Sequence, residues 1–504
     1  MKKISLLVVF ISSFLVYAQT APTIEWERAY GGSSRDSSST ITQTTDGGYI
    51  AAGYTFSEDG DVNGDQPGAS NYWIVKLDEI GSIHWQKSIG GIGQQMANSI
   101  KQTIDGGYIV AGFGHVENHV RRHDYWIVKL NEIGAIEWEK NYGGNDTDHA
   151  YSIQQTTDGG YIIAGLTDSI DGDVTENQGS VDYWIVKIDE LGTIQWQKTY
   201  GGSSLDLATS IQQTTDGGYI IAGYSDSNDG DVTGNNGDYD YWIVKIDEFG
   251  AIQWQKSLGG SGEDRAESIQ QTTDGGYILA GYSNSNDGDV TGNHGYFDYW
   301  IVKLEENGTI QWQKSLGGGG EDRARSIQQA TDGGYVVAGE SYSYDGDVTQ
   351  NNGDYDFWIV KIDEVGTIKW QKTYGGSARD EAKSIQQTTD GGYIVTGDTR
   401  SYDGDVTGYH GGWDYWIVKL SEEGMSTQEF QNTKINIYPN PVKDILYFSE
   451  EVSNIKITDV SGRMVKEFSA SVKSFDVSGL AKGIYMITAS SKLGKVVSEK
   501  FIKE

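Results

Sequence analysis

"ATSIQQTTDGGYIIAGYSDSNDGDVTGNNGDYDYWIVKIDEFGAIQWQKS", from Ala208 to Ser257, contains four strand-like segments, and their reading decides the fold. ATSIQQT is the first. Asp216–Gly218 (DGG) follows as a hairpin turn, because Asp and Gly adopt positive φ at little cost. YIIAGYS is the second segment, and an acidic, glycine-rich loop comes after it. DYWIVKID is the third, and EFG turns it into AIQWQKS, the fourth. The third segment is apolar on both alternating faces: Trp242, Val244 and Ile246 on one, Tyr241 and Ile243 on the other. A strand of that kind must be covered on both sides. The first and fourth segments carry more Gln, Lys and Thr, which places them beside solvent or a channel.

The unit recurs. WIVK begins at Trp73, Trp126, Trp184, Trp242, Trp300, Trp358 and Trp416. A second tryptophan follows at Trp85, Trp138, Trp196, Trp254, Trp312 and Trp370. DGGY begins at Asp46, Asp105, Asp158, Asp216, Asp274, Asp332 and Asp390. A period of about 58 residues is the size of a propeller blade rather than a solenoid repeat. A unit this short would bury only a thin core as an independent sandwich, so face-to-face packing in a ring is expected. The chain ends agree with a ring. TIEWERAYGG (Thr23–Gly32) has no third strand before it, and DYWIVKLSEEG (Asp414–Gly424) has no IQW strand after it. The fold expected is all-β: a seven-bladed β-propeller of four-stranded blades, closed by the N-terminal strand and followed by a small C-terminal β-sandwich. The tryptophans are read as blade-to-blade packing.

Composition narrows the chemistry. The 504 residues carry a formal charge of −34, which disfavours nucleic acid as a partner. The chain has no cysteine, so disulfides, thiolate metal sites and cysteine nucleophiles are excluded. Lys2 and Lys3, the apolar run Ile4–Leu15 and the small residues of Val16-Tyr17-Ala18 read as a secretory signal. The expected organisation is a signal peptide at 1–18, the propeller at 19–424, a polar linker at 425–433 and the tail at 434–504. No later segment is long and apolar enough to be a transmembrane helix. A monomer is expected.

The repeats GGSSLDLATSIQQTTDGGYIIAGYS and DYWIVKIDELGTIQWQKTYGG resemble the β-propeller repeats of bacterial secreted and surface proteins. That resemblance implies a propeller in an extracytoplasmic setting and names no ligand. In the tail, IYPNPVKDIL (Ile437–Leu446), ITDVSGRMV (Ile457–Val465), DVSGLAKGIYMI (Asp476–Ile487) and the closing KFIK occur in order. Together they resemble the type A C-terminal sorting domain of proteins exported by the type IX secretion system. The resemblance implies engagement with that machinery, export across a Gram-negative outer membrane, removal of the tail, and release or attachment at the cell surface.

Propeller geometry puts the DGG and DExG turns on one face of the ring. The acidic loops and the Gly-Gly connections lie on the other. In the fourth unit the loop supplies Asp226, Asn228, Asp229, Asp231 and Asp238. Hard oxygen donors in a glycine-rich loop suit Ca²⁺, the one cofactor the sequence suggests. The same residues also build turns without any ion. Asp240 and its equivalents open a strand and are read as caps for backbone donors. In the second unit the loop GHVENHVRRHD spaces His115, His119 and His123 four apart, with His149 in the next connection. On a helix the first three would share a side, as metal ligands do. Exposed histidines beside Arg121 and Arg122 are the plainer reading.

Tyr239, Phe297, Tyr344, Tyr402 and Trp413 are the aromatic candidates for stacking on a sugar, or for plugging the loops against one another. TTDGGY resembles the Asp-box turn of sialidase propellers, but no arginine cluster for an acidic sugar is evident in the sequence. There is no nucleophile motif, no phosphate loop and no distinct acid/base pair. The expectation is a secreted or surface-attached scaffold that binds glycan, protein or matrix. The alternative is a propeller enzyme, a glycan hydrolase or quinoprotein-like oxidoreductase, with no locatable catalytic residues.

Overall fold

In the computed structural model the described residues are 18–63, 70–115, 122–426, 437–459, 463–491 and 496–504. The expected signal cleavage concerns residues 1–18, of which 1–17 lie outside them. Ala18–Met425 form one compact unit, built from seven four-stranded sheets. Blade 4 is typical: Asp206–Gln213, Tyr219–Ser225, Asp240–Ile246 and Ile252–Leu258, hydrogen-bonded in that order. Its first strand opens at Asp206, two residues before the ATSIQQT segment, because Asp206 already pairs with Ser225. First strands of the other blades open at Asp36, Gln95, Asp148, Asp264, Asp322 and Asp380. They face the central channel, and the fourth strands form the outer rim.

The ring closes as the chain ends imply. Ile24–Tyr30 is the outer strand of blade 7 and pairs antiparallel with Asp414–Leu420, from Ile24↔Leu420 to Tyr30↔Tyr415. Trp416 Nε1 donates to Glu27 Oε2 at 2.8 Å, as Trp242 Nε1 donates to Gln255 at 3.0 Å within blade 4. Thr23 N donates to Ser421 Oγ at 3.0 Å, and Tyr374 OH to the Pro22 carbonyl at 2.8 Å. The channel wall runs unbroken across the junction: Gln43 N donates to Gln386 Oε1 at 2.7 Å, as Gln213 N does to Gln154 at 2.7 Å.

Cores sit between blades. Trp242, Val244 and Ile246 pack against Ile162, Ala164, Tyr183 and Ile185 of blade 3, while Tyr241 and Ile243 pack against blade 5. The two-sided apolar strand is therefore covered twice, once by each neighbour. Six of the seven seams add a polar pin. Tyr183 OH donates to the Trp242 carbonyl at 2.9 Å and Tyr241 OH to that of Trp300 at 2.8 Å. The glycine of the AGY motif makes room for it: a Cβ on Gly223 would stand 2.7 Å from Tyr183 OH and 1.9 Å from the Leu207 carbonyl. A bulge between Ala208 and Ser210 accompanies that close approach. On the turn face Lys245, the lysine of WIVK, is buried and pairs with Asp216 of the DGG turn at 2.9 Å. The motif thus carries its own buried cation and counterion.

The tail, from Ser426 onward, is a second unit. The six strands of its described residues are joined through the fifteen-residue strand Ile445–Asp459, which pairs with four of the others. The sheet surrounds one core that includes Leu446, Ile457, Phe475, Ile487 and Phe501. No helix of the described residues is long and apolar enough to cross a membrane.

Candidate functional site

A repeat protein repeats its packing, so a unique site must come from columns of the repeat that vary. Along the channel the inner half of each first strand hardly varies. Ile211 and Gln212 recur as Ile153 and Gln154, Ile269 and Gln270, Ile327 and Gln328, and Ile385 and Gln386, lining a space of about 360 Å³. Lys101 is the exception there, a single cation among neutral polar groups.

The loop-face end of the channel is different. A mouth of about 540 Å³ is lined by the fourth residues of the first strands, which differ in every blade, by the second residues of three of them, and by the sixth of several second strands. These columns put Arg265, Glu267, Arg325 and Lys383 beside Tyr54, Tyr151, Tyr224 and Tyr282. Arg325 Nη1 meets Glu267 Oε1 at 2.7 Å, and its Nη2 meets the buried Glu340 at 2.7 Å. Lys383 Nζ is 2.9 Å from Glu381 and 3.9 Å from buried Asp398. Asp398 also accepts from Ser37 Oγ at 2.7 Å and Ser38 N at 2.9 Å. Burial pushes the Asp398 carboxyl up to about 6, against the pull of Lys383. Burial also acts to raise Glu381, but Lys383 and Arg379 outweigh it and hold that carboxyl down to about 2.

The guanidinium groups lie on aromatic rings. Arg265 sits 4.8 Å over Tyr224 and 4.4 Å over Tyr239. Arg323 sits 4.9 Å over Phe297, and Arg35 lies between Tyr54 and Trp413 at 5.5 and 5.6 Å. Stacking fixes each fork in place, and Arg265 and Arg323 also pair through Nη2 with Glu263 at 3.3 Å and Glu321 at 2.9 Å. The mouth can therefore hold a polyhydroxylated or anionic group with preset donors. An arginine cluster exists after all, correcting the impression left by the sequence. It is scattered over Arg35, Arg265, Arg323 and Arg325, and only ring closure assembles it.

Of the aromatic candidates, Tyr239, Phe297 and Trp413 form a layer behind the mouth. Phe297 is only 5 % exposed, so it supports Arg323 and offers no stacking face. Tyr344 and Tyr402 are exposed on outlying loops, and Tyr344 OH bonds to Gly353 of its own loop.

The acidic loop of blade 4 fastens itself to the connection below it. Asp226 accepts from Leu205 N at 2.8 Å, Asp229 from Ser203 N at 2.7 Å, and Asp231 from Gln178 Nε2 at 2.6 Å. Asn228 Nδ2 donates to the Asn235 carbonyl at 3.4 Å, and the Asp238 carbonyl accepts from Asn235 at 3.3 Å. In blade 2, His115 and His123 face each other across the ladder. His149 Nε2 lies 3.2 Å from His123 Nδ1, and its ring stacks on Phe113 at 3.8 Å. Burial, then His123, lowers His149 to about 3, and burial, then His115, also lowers His123. His119 lies outside the described residues. Among the described residues no three His, Asp or Glu side chains make a ready metal cage.

Residues 436–504 match the secretion system C-terminal sorting domain family. The chain therefore carries a sorting signal for type IX secretion, which delivers it outside the cell and to the cell surface. The regulatory protein FlaEY of Caulobacter vibrioides is 26 % identical over 188 residues, covering 35 % of this chain. The match spans only 20 % of that relative's length. Among solved structures, PorZ of Porphyromonas gingivalis, a surface component of the type IX secretion system, is similar over 94 % of this chain and 70 % of its own, at 11 % identity and a TM-score of 0.28. Sqt1 of Chaetomium thermophilum is similar over 81 % of this chain and 100 % of its own, at 12 % identity and a TM-score of 0.39.

Proposed function

We propose that the protein is a surface binding scaffold whose ligand, part of a glycan, protein or matrix component, enters the loop-face mouth of the channel. One observation carries this reading. Of the columns that face the channel, those of the inner half are nearly constant, while the fourth residues of the first strands, at the mouth, are different in every blade. Packing alone gives no reason for seven equivalent positions to diverge only where they meet. Stacked arginines, tyrosine rings and a lysine favour a sugar bearing carboxylate or sulfate groups, through bidentate hydrogen bonds and ring contacts. Among the described residues no group in the mouth is placed as a nucleophile beside a base, so binding is favoured over turnover.

The test is a screen of acidic and neutral glycans against the full chain, alongside Arg265→Gln and Lys383→Met. Retention of an acidic glycan by the wild type, weakened at least tenfold in both variants, is the expected result. Equal binding by all three proteins would move the site elsewhere. Conversion of a bound glycan would revive the enzyme reading.

A further inference from the structure

The seams between blades carry a second feature that repeats, with informative exceptions. At seam 3/4 the first residue of a third strand, Asp182, meets the first residue of the next blade's first strand, Asp206. Both are fully buried. Their facing oxygens lie 2.3 and 2.6 Å from the point a Cβ on Gly201 would occupy. The same arrangement surrounds Gly259, with Asp240 and Asp264 at 2.4 and 2.6 Å, and Gly375, with Asp356 and Asp380 at 2.3 and 2.7 Å. A third carboxylate approaches each glycine from the acidic loop: Asp231, Asp289 and Asp405 stand 3.4, 3.4 and 3.2 Å from its backbone N–H.

Such carboxylates need a countercharge, since burying like charges side by side is costly. Hydrogen bonds satisfy only part of the demand. Asp182, Asp240 and Asp356 each accept a backbone N–H through Oδ2, from Gln178, Asn236 and Asn352 at 2.6 to 2.8 Å. Their Oδ1 atoms are buried, turned toward the paired aspartate, and without a hydrogen-bond partner.

The other seams show how the chain answers when it can. At seam 2/3, Arg122 forks onto Asp124 at 3.1 and 3.3 Å. At seams 5/6 and 7/1 a histidine replaces Gln or Asn, and His294 and His410 reach Oδ2 of Asp298 and Asp414 through Nδ1 at 2.8 and 3.1 Å, while the Oδ1 atoms there stay without a hydrogen-bond partner, as at seams 3/4, 4/5 and 6/7. At seam 1/2 the pair is Asn71 and Gln95, and the Asp-Gly-Asp loop is missing from the second unit as well. An arginine or a histidine thus accompanies the acids at three seams, and the acids disappear together at a fourth. Seams 3/4, 4/5 and 6/7 keep three carboxylates and receive no arginine, lysine or histidine contact from the described residues.

We propose that these three seams each bind one Ca²⁺, with Asp182/Asp206, Asp240/Asp264 and Asp356/Asp380 as its carboxylate ligands. A hard cation of flexible coordination suits oxygen-only surroundings, and backbone carbonyls and water complete its shell. The site differs from the loop set Asp226, Asn228, Asp229 and Asp238, whose groups are taken up by loop hydrogen bonds or face solvent.

The test uses the full chain stripped of divalent ions, titrated calorimetrically with Ca²⁺ at pH 8, with Mg²⁺ as control. About three ions should bind per chain, and the propeller's Tm should rise with them. Asp182→Asn, Asp240→Asn and Asp356→Asn should each remove about one ion, so the assay does not depend on a triple variant folding. Three results would overturn the proposal: no Ca²⁺ binding, Ca²⁺ binding that all three variants retain, or a Tm that responds to pH alone. The last would mean that protons neutralise the seams.

Discussion

Six seams carry a tyrosine hydroxyl bonded to the next blade's tryptophan carbonyl: Tyr72, Tyr125, Tyr183, Tyr241, Tyr299 and Tyr415, all at 2.8 or 2.9 Å. The seventh has Phe357 in that place. Its ring meets Trp416 at 4.5 Å between centroids, matching the 4.4 Å of Tyr241 and Trp300. Seam 6/7 therefore presents the same receptor without the donor. Phe357→Tyr should add one buried hydrogen bond over Gly397, stabilising the ring by about 0.5–1.5 kcal/mol. Tyr241→Phe should cost about the same, because the ring and its packing remain. The two seams are well separated, so the double variant should return close to wild type. Urea unfolding followed by tryptophan fluorescence reads the propeller selectively, since all 15 tryptophans lie between Trp26 and Trp416 and the tail has none. A lower midpoint for Phe357→Tyr would refute the reasoning, because the slot at seam 6/7 would then be too tight for a hydroxyl. An unchanged midpoint for Tyr241→Phe would show that the hydroxyl bond adds nothing to the apolar seam.

Burial first, and then neighbouring carboxylates, push Asp182, Asp240 and Asp356 up to about 7. An acid whose folded pKa exceeds its unfolded value of about 4 binds more protons when folded, so stability falls as pH rises from about 4 to about 7 and stays low above. In EDTA the unfolding free energy from urea titration should drop between pH 5 and pH 8, by up to about 2.6 kcal/mol per seam. The three Asp→Asn variants together should flatten the drop; a drop of the same size in them would assign it to the general surface charge. Deleting Lys434–Glu504 should leave the tryptophan unfolding transition in place and stop export, measured by fractionating cells; normal appearance of the truncated chain outside the cell would show that the tail is not the address.

The fold was legible because the repeat states every structural rule seven times. The two apolar faces of WIVK, the DGG turn and the unmatched IEW strand each have one geometric solution, and the ring satisfies all three. The mouth was illegible for the converse reason. Arg35, Arg265, Arg325 and Lys383 are far apart in sequence and each looks like an ordinary exposed strand position. What marks them is a contrast between columns: Ile211 and Gln212 return almost unchanged from blade to blade, while Leu207 becomes Arg265, Arg323 and Glu381, and Thr209 becomes Glu267, Arg325 and Lys383. The buried aspartates escaped differently. Asp240 at the head of a strand resembles a cap, and its backbone bond from Asn236 bears that out. Its partner Asp264 lies one blade along the chain, so the like-charge pair exists only at a seam. Symmetry also turns exceptions into signals. Asn71 with Gln95, Arg122 at Asp124, and the histidines at Asp298 and Asp414 mark the four seams where this chain departs from the arrangement its other three share.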